Sequence, residues 1–200
     1  MKNKMLVVYN TCGFSGRENV EWYIDCINNI LNQNFDDFHV VISSCGNSIG
    51  VIKRLLNEFK GRVSFNFTNE RITVNQSFNH TVQKCVEELG EFDSYLYVDS
   101  GINIRENTNA LKETWEVYKS GPYGMVTLQA SNDTGFGPWF NIEGNITGDH
   151  FEIPIGKACN LHTQLFSNEI FKAYDKKIIP DIFIAYCTES IFSFVAAGVS

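Results

Sequence analysis

The sequence lacks long hydrophobic runs and basic runs, and each absence excludes a class of protein. No apolar run approaches the roughly 20 residues that span a bilayer, and residues 1–4 lead into a run too short for the core of a signal peptide. Lys and Arg number 16 against 23 Asp and Glu, which gives a net charge of −7 and no basic face for a phosphate backbone. We therefore expect a cytoplasmic protein that has no membrane span and binds no nucleic acid.

Closely spaced cysteine pairs are also absent. None of the six cysteines belongs to a CxxC or CxxH pair, so the sequence indicates neither a zinc cluster nor a redox motif. We expect reduced thiols within the protein interior. The cysteines are Cys12, Cys26, Cys45, Cys85, Cys159 and Cys187.

What is present is enough apolar material for a core. The chain has 200 residues, of which 44% are hydrophobic and 14% aromatic. A chain of this size and composition can fold without disulfides or structural metals, and a single domain is the expectation.

The first 128 residues alternate short β-rich runs with helical periods. The runs at 5–9, 39–42, 63–67, 95–98 and 124–128 predict five strands. Apolar residues at helical spacing predict four helices between them, with Ser15 and Asn47–Ser48 as possible caps. The expected buried faces are Val20, Ile24, Ile27 and Leu31; Ile49, Ile52, Leu56 and Phe59; Val74, Phe78, Val82, Cys85 and Leu89; and Leu111, Trp115 and Tyr118. This order predicts an α/β/α sandwich with a mostly parallel central sheet.

After residue 128 the alternation stops. Residues 130–160 are rich in glycine and aromatic residues, which is typical of a functional loop, with a hairpin turn near 143–145. Ser167 is expected to cap a short helix that ends at Tyr174, and residues 181–197 predict a buried last helix or helix pair.

Small polar residues follow the predicted strands. They are Asn10–Thr11, 43–47, Thr68–Asn69 and 99–101. Because ligands of parallel sheets bind outside the carboxyl ends of the strands, these residues could contact a nucleotide. Each of them could equally form a turn or cap a helix.

The first turn excludes two common ways of binding a nucleotide. Gly13 and Gly16 fit neither the GxGxxG nor the GxxxxGK[ST] spacing. A diphosphate held without such a loop is commonly neutralised by a divalent cation on a carboxylate. Asp99, at the end of the fourth predicted strand, is the candidate carboxylate.

Three segments carry a resemblance to a known family. The segments are 28–42, which includes Gln33 and the apolar run that follows it, 75–79 with two asparagines, and 95–101 with Asp99 at the end of an apolar strand. The order and spacing of these segments resemble those of GT-A fold nucleotide-sugar glycosyltransferases. The resemblance is good across residues 4–128 and loose across residues 155–198.

The resemblance implies a GT-A-like fold and a metal-dependent transfer of a sugar from a UDP-linked donor to a carbohydrate or glycoprotein acceptor. It also implies one glycosyltransferase domain over 1–200, with a nucleotide-sugar-binding half at 1–128 and an acceptor and catalytic half at 129–200. This domain could be part of a larger enzyme.

Site residues are carried over by the same resemblance. Asn10, Thr11, Ser43 and Asn47 would contact the nucleoside, Asn75 and Asn79 the ribose or sugar hydroxyls, and Asp99, Ser100 and Gly101 the metal-bound diphosphate. The chain departs from the family at two points. It has Ser43–Asn47 in place of an acidic pair that reads the base, and Gly101 in place of the second aspartate of the Asp-x-Asp motif.

The later residues carry further expectations, each with a structural alternative. His162 would join Asp99 on Mn²⁺ or Mg²⁺, or is an ordinary half-buried histidine. Glu189 would accept the proton of the acceptor hydroxyl, or only stabilises a helix start. Trp139 and Phe140 would form a platform for the acceptor sugar, or pack in the core.

Two other functions fit the same pattern. A nucleotidyltransferase of similar layer order also uses a metal held by carboxylates, although residues 11–17 supply one basic residue where that class has a basic, glycine-rich start. A nucleotide- or carbohydrate-binding module without catalysis would account for the missing second aspartate.

Overall fold

A computed structural model of the chain describes residues 4–13, 18–70, 72–104, 107–121, 124–128, 145–147, 150–152, 163–176 and 178. The strands are β1 (Met5–Cys12), β2 (Phe38–Cys45), β3 (Ser64–Thr68), β4 (Ser94–Asp99), β5 (Met125–Thr127), β6 (Asn145–Thr147), β7 (His150–Glu152) and β8 (Thr163–Ser167). The helices are α1 (Val20–Leu31), α2 (Ile49–Phe59), α3 (Val74–Leu89), α4 (Ala110–Ser120) and α5 (Asn168–Ala173).

Six strands form the central sheet in the order β3-β2-β1-β4-β8-β5. The first four of these are parallel, as predicted, while β8 is antiparallel to both of its neighbours, β4 and β5. The sequence did not predict β8. Strands β6 and β7 pair apart from this sheet, and Asn145 lies in β6, so the turn predicted at 143–145 does not extend to that residue.

Alternating side chains of β1 supply two cores. Met5, Val7 and Tyr9 pack with residues of α1, α2 and α4 on one face of the sheet. Leu6 and Val8 pack with residues of α3 and α5 on the other face. All five are 0% exposed, as expected for a parallel strand that is covered on both faces. The predicted three-layer arrangement is confirmed.

Helix starts follow the capping rules, partly at residues other than those expected. Ser48 caps α2 and Ser167 caps α5, as predicted. Asn19 caps α1, whereas the predicted Ser15 lies outside the described residues. Thr73 forms a capping box with Gln76 at the start of α3. None of the described helices combines the length and hydropathy that crossing a bilayer requires.

The buried face of α2 differs from the prediction. Val51, Leu55 and Phe59 are buried, whereas Ile49 is 69% and Leu56 37% exposed. Both sets are apolar, have helical spacing and include Phe59, so periodicity alone could not separate them. Leu89, expected on the buried face of α3, is also 50% exposed.

Replacing Leu55 or Leu56 by alanine tests the orientation of α2. Leu55→Ala should lower the free energy of unfolding by about 2–5 kcal/mol, because it opens a cavity in the core. Leu56→Ala should lower it by less than about 1 kcal/mol, because the side chain borders solvent. Urea unfolding followed by circular dichroism measures both. Equal losses would contradict this orientation.

Candidate functional site

The carboxyl ends of β1, β2 and β4 lie side by side. Asn10 is in register with Ser43 of β2 and with Asp99 of β4, and Thr11 is in register with Ser44. The structure therefore brings the polar residues that follow the predicted strands to one edge of the sheet. Thr163, at the start of β8, lies opposite Val98 at this edge, and its buried hydroxyl has no hydrogen-bond partner among the described residues.

Asn10 and Ser43 take part in a hydrogen-bonded network under α3. Ser77 Oγ donates to Asn10 Oδ1 over 3.2 Å and lies 2.9 Å from Ser43 Oγ. Thr81 Oγ1 lies 2.8 Å from Ser43 Oγ, and Asn66 Nδ2 donates to Thr81 Oγ1 over 2.7 Å. All five residues are at most 5% exposed. The network fixes α3 against the polar end of the sheet, because buried polar groups need partners.

Sequence reasoning missed three members of this network. Ser77 and Thr81 are four residues apart on α3 and face the sheet, and Asn66 lies on β3. The available signal was the i, i+4 spacing of small polar residues on the same side of α3 as Phe78.

On the opposite face of the sheet, Thr11 and Asn47 form a second polar group. Asn47 Nδ2 donates to Thr11 Oγ1 over 2.8 Å, and Thr11 Oγ1 donates to the carbonyl of Ser43 over 3.2 Å. Asn47 Oδ1 and Ser44 Oγ are buried and have no partner among the described residues. A buried acceptor without a partner costs about 1–3 kcal/mol, so these atoms are suited to hydrogen bonds from a ligand.

Gly13 allows the turns after β1 and β2 to touch. A Cβ at Gly13 would lie 2.1 Å from the carbonyl oxygen of Gly46 and 2.5 Å from Asn47 Cα. Gly46 itself has a φ of 65°, in the left-handed region that glycine tolerates. These two glycines therefore set the position of Asn47.

Asp99 is held in a turn at the end of β4. Its Oδ1 accepts from the amide of Gly101 over 2.8 Å, and its Oδ2 accepts from the hydroxyl of Tyr97 over 3.2 Å. Its carbonyl accepts from the amide of Ile102 over 3.0 Å. The carboxylate is half-buried, and each oxygen retains a lone pair for a further partner.

Two aromatic side chains hold the next residue of this turn. Trp22 Nε1 of α1 and Tyr9 Oη of β1 donate to the carbonyl of Ser100 over 2.8 and 3.2 Å. Burial raises the pKa of Tyr9 and of Tyr97 well above their ordinary values, with the Asp99 charge adding to the effect. Both hydroxyls therefore stay protonated and can donate. From the sequence, these tyrosines were expected only as parts of the strands at 5–9 and 95–98.

The predicted sugar contacts Asn75 and Asn79 are each 3% exposed near the start of α3. Asn79 Oδ1 accepts from the amide of Ile178 over 3.1 Å, which ties α3 to the chain after α5. Asn79 also borders an open cleft of about 290 Å³ between the end of β3 and α3. The other residues of this cleft are Thr68, Glu70, Ile72, Gln76, His80 and Gln83.

Four predicted site residues, Trp139, Phe140, His162 and Glu189, lie outside the described residues. The described part of the chain brings together no group of three or more His, Cys, Asp or Glu side chains that could hold a metal ion.

Alanine at Gly13 tests the contact between the two turns. Gly13→Ala should lower the free energy of unfolding by about 1–3 kcal/mol, because its Cβ overlaps the Gly46 backbone. Gly50→Ala is the matched control, since Gly50 lies in α2 and a Cβ there meets nothing within 4 Å. Helix propensity predicts a gain of up to about 1 kcal/mol for the control. An unchanged unfolding midpoint for Gly13→Ala would refute the contact.

Comparisons with known proteins find solved structures of similar fold. No protein-family model matches the sequence, and no curated protein matches it. The chain is similar to the solved structure of S. aureus TarS 1–349, with a TM-score of 0.66 and 17% identity over 98% of this chain and 55% of that one. The complex of TarS 1–349 with UDP-GlcNAc gives a TM-score of 0.65 and 17% identity over 98% and 53%.

A third solved structure is the mannosyltransferase PcManGT from Pyrobaculum calidifontis in complex with GDP-Man and Mn²⁺. Its TM-score is 0.65, with 11% identity over 96% of this chain and 51% of that one. The chain thus spans about half the length of each of these structures. At such identities the likeness establishes the architecture alone, and the chain has the GT-A-like fold that was expected from the sequence.

Proposed function

We propose that this chain transfers a sugar from a UDP-linked donor to a carbohydrate or glycoprotein acceptor. The observation that carries the proposal is the Asp99 carboxylate, oriented by Tyr97 and Gly101 at the edge where the polar ends of β1 and β2 meet. Ligands of open α/β sheets bind at such an edge. The complexes of the structurally similar TarS 1–349 with UDP-GlcNAc and with UDP support the donor class.

Donor contacts are proposed on both faces of this edge. Thr11 and Asn47 would contact the nucleoside, since Asn47 Oδ1 is a buried acceptor without a partner among the described residues. Asn10 and Ser43 would contribute from the side of α3, where they also position Ser77. Asn75 and Asn79 are proposed for the ribose or sugar hydroxyls, and Ser100 and Gly101 for the diphosphate beside Asp99.

Asp99 suits a divalent cation as one ligand of several. Its carboxylate has hard oxygen donors with lone pairs left after the bonds from Tyr97 and Gly101. Mg²⁺ and similar ions commonly use one or two carboxylates and complete their shell with substrate phosphates and water. When bound, Mn²⁺ or Mg²⁺ would neutralise charge on the leaving diphosphate. The Mn²⁺ in the PcManGT complex supports this choice, and His162 is proposed as a further ligand.

The remaining chemistry is assigned to residues outside the described part. Glu189 is proposed to accept the proton of the acceptor hydroxyl, and Trp139 and Phe140 to contact the acceptor sugar. These three residues belong to the proposed acceptor half at 129–200, and the donor half is proposed at 1–128. Within the described part, Tyr97 and Gly101 hold the orientation of Asp99, and Trp22 holds the turn.

Asp99→Asn tests the proposed function. The amide keeps an acceptor for the Gly101 N–H but removes the charge, so release of UDP from UDP-sugars with Mn²⁺ should fall by about 10²-fold or more. Asp37→Asn is the control, because Asp37 lies just before β2, at the amino end of the sheet, where it pairs with Lys4. Coupled detection of UDP measures turnover, and circular dichroism checks the fold.

The same assay separates the alternatives. Equal UDP release by the wild type and Asp99→Asn would remove the proposal. If the wild type binds the UDP-sugar, seen as a rise in melting temperature, but releases no UDP, the chain would instead be a binding module. The single carboxylate at 99–101 also allows this function.

Tyr97→Phe tests how Asp99 is oriented. Loss of the hydroxyl donor should raise the Mn²⁺ concentration for half-maximal stabilisation by UDP several-fold, because Asp99 Oδ2 loses a bond that fixes its direction. Tyr118→Phe is the control, since its hydroxyl donates to the carbonyl of Asp93 at the other end of β4. Thermal shift across a Mn²⁺ series measures both, and identical curves would contradict the role of Tyr97.

A further inference from the structure

Two cysteines meet at the ends of β1 and β2. Cys12 and Cys45 are partners in the parallel register, and their Sγ atoms lie 3.6 Å apart. Partners on neighbouring strands point to the same face, with strand spacing of about 4.7–4.9 Å. This spacing falls within the Cα separation of disulfides, about 4.4–6.8 Å. The backbone separation therefore suits a disulfide, and the two side chains must rotate for the sulfur atoms to reach bonding distance.

The two thiols have different surroundings. Cys12 is partly exposed, whereas Cys45 is 0% exposed and its Sγ lies 3.9 Å from the carbonyl of Ile72. The other described cysteines, Cys26 and Cys85, are buried on α1 and α3. Of these four thiols, Cys12 is therefore the one that a reagent in solution can reach first.

We propose that Cys12 and Cys45 are a reversible redox pair, which closes to a disulfide by exchange with a low-molecular-weight disulfide such as glutathione disulfide. Cys12 loses its proton, and the resulting thiolate attacks one sulfur of glutathione disulfide. A mixed disulfide forms, and the first glutathione leaves as a thiolate and takes up the proton lost by Cys12. Cys45 then loses its proton and attacks Cys12 Sγ. The second glutathione leaves as a thiolate and takes up that proton, so two protein thiols are oxidised and one glutathione disulfide is reduced to two glutathiones.

The order of attack follows from the environment of the pair. Burial raises the pKa of Cys45, and the neighbouring Cys12 raises it further. Cys45 is thus a poor first nucleophile. In the mixed disulfide, the sulfur of Cys12 cannot carry a charge. It therefore no longer raises the pKa of Cys45, and Cys45 ionises more readily than before.

Closure would join two turns that already touch. Gly13 follows Cys12 and Gly46 follows Cys45, and these glycines are in backbone contact. The bond would therefore fix the turn that carries Asn47 against the turn after β1. This inference does not depend on the proposed sugar transfer.

The test maps disulfides in the full chain. The protein is equilibrated with mixtures of reduced and oxidised glutathione, free thiols are blocked with N-ethylmaleimide, and peptides are identified by mass spectrometry. A peptide pair linking Cys12 to Cys45 should appear, reversibly with dithiothreitol, while Cys26 and Cys85 are alkylated only after unfolding. A stable glutathione adduct on Cys12, a link from Cys12 to another cysteine, or no oxidation would overturn the proposal.

Matched variants separate the pair from general oxidation. Cys85→Ser should keep the Cys12–Cys45 link, because Cys85 lies on α3 away from the strand ends. Cys12→Ser should leave Cys45 reduced under the same conditions, and oxidation of Cys45 at the wild-type rate would contradict the order of attack. The oxidised wild type should melt at a higher temperature than the reduced form, because the link restricts the unfolded chain. An equal or lower melting temperature would show that the bond does not fit this fold.

Discussion

Parallel pairing of β1 with β2 and β4 is the constraint on which the candidate site depends. Because side chains alternate along a strand, a shift of one residue would move Asn10, Ser43 and Asp99 to the wrong faces. The apolar residues deeper in β1 prevent such a shift, since they fill two separate cores on the two sides of the sheet. The positions of the polar ends are thus determined by the packing of the apolar residues that precede them.

Much of this arrangement could be predicted from the sequence. The alternation of apolar runs and helical periods gave the strand order along the chain and the polar edge, because both depend on local patterns. The buried face of α2 could not be predicted, since Val51 and Leu55 form as regular an apolar row as Ile49 and Leu56. Which row faces the sheet is decided by tertiary packing.

The partners of the site were the least predictable part. Tyr9, Trp22 and Ser77 are separated by tens of residues from the groups that they bind, and only the fold brings them together. The same is true of Cys12 and Cys45, whose spacing along the chain matches no motif. Asp99 could be found because it ends an apolar strand, a position that is visible in the sequence itself.

Strand β8 has a consequence for how this fold can vary. Because β5 runs parallel to β4 and β8 runs antiparallel to both, β5 ends and β8 begins at the edge of the sheet that carries Asp99. The amide of Leu128 donates to the carbonyl of Thr163 over 3.1 Å, so the two ends of the segment between β5 and β8 are joined by a hydrogen bond. Since both anchors are fixed by the sheet, the intervening segment can change in length and composition without disturbing the strands. Evolution can therefore alter this segment while the strands that position Asp99 stay constant.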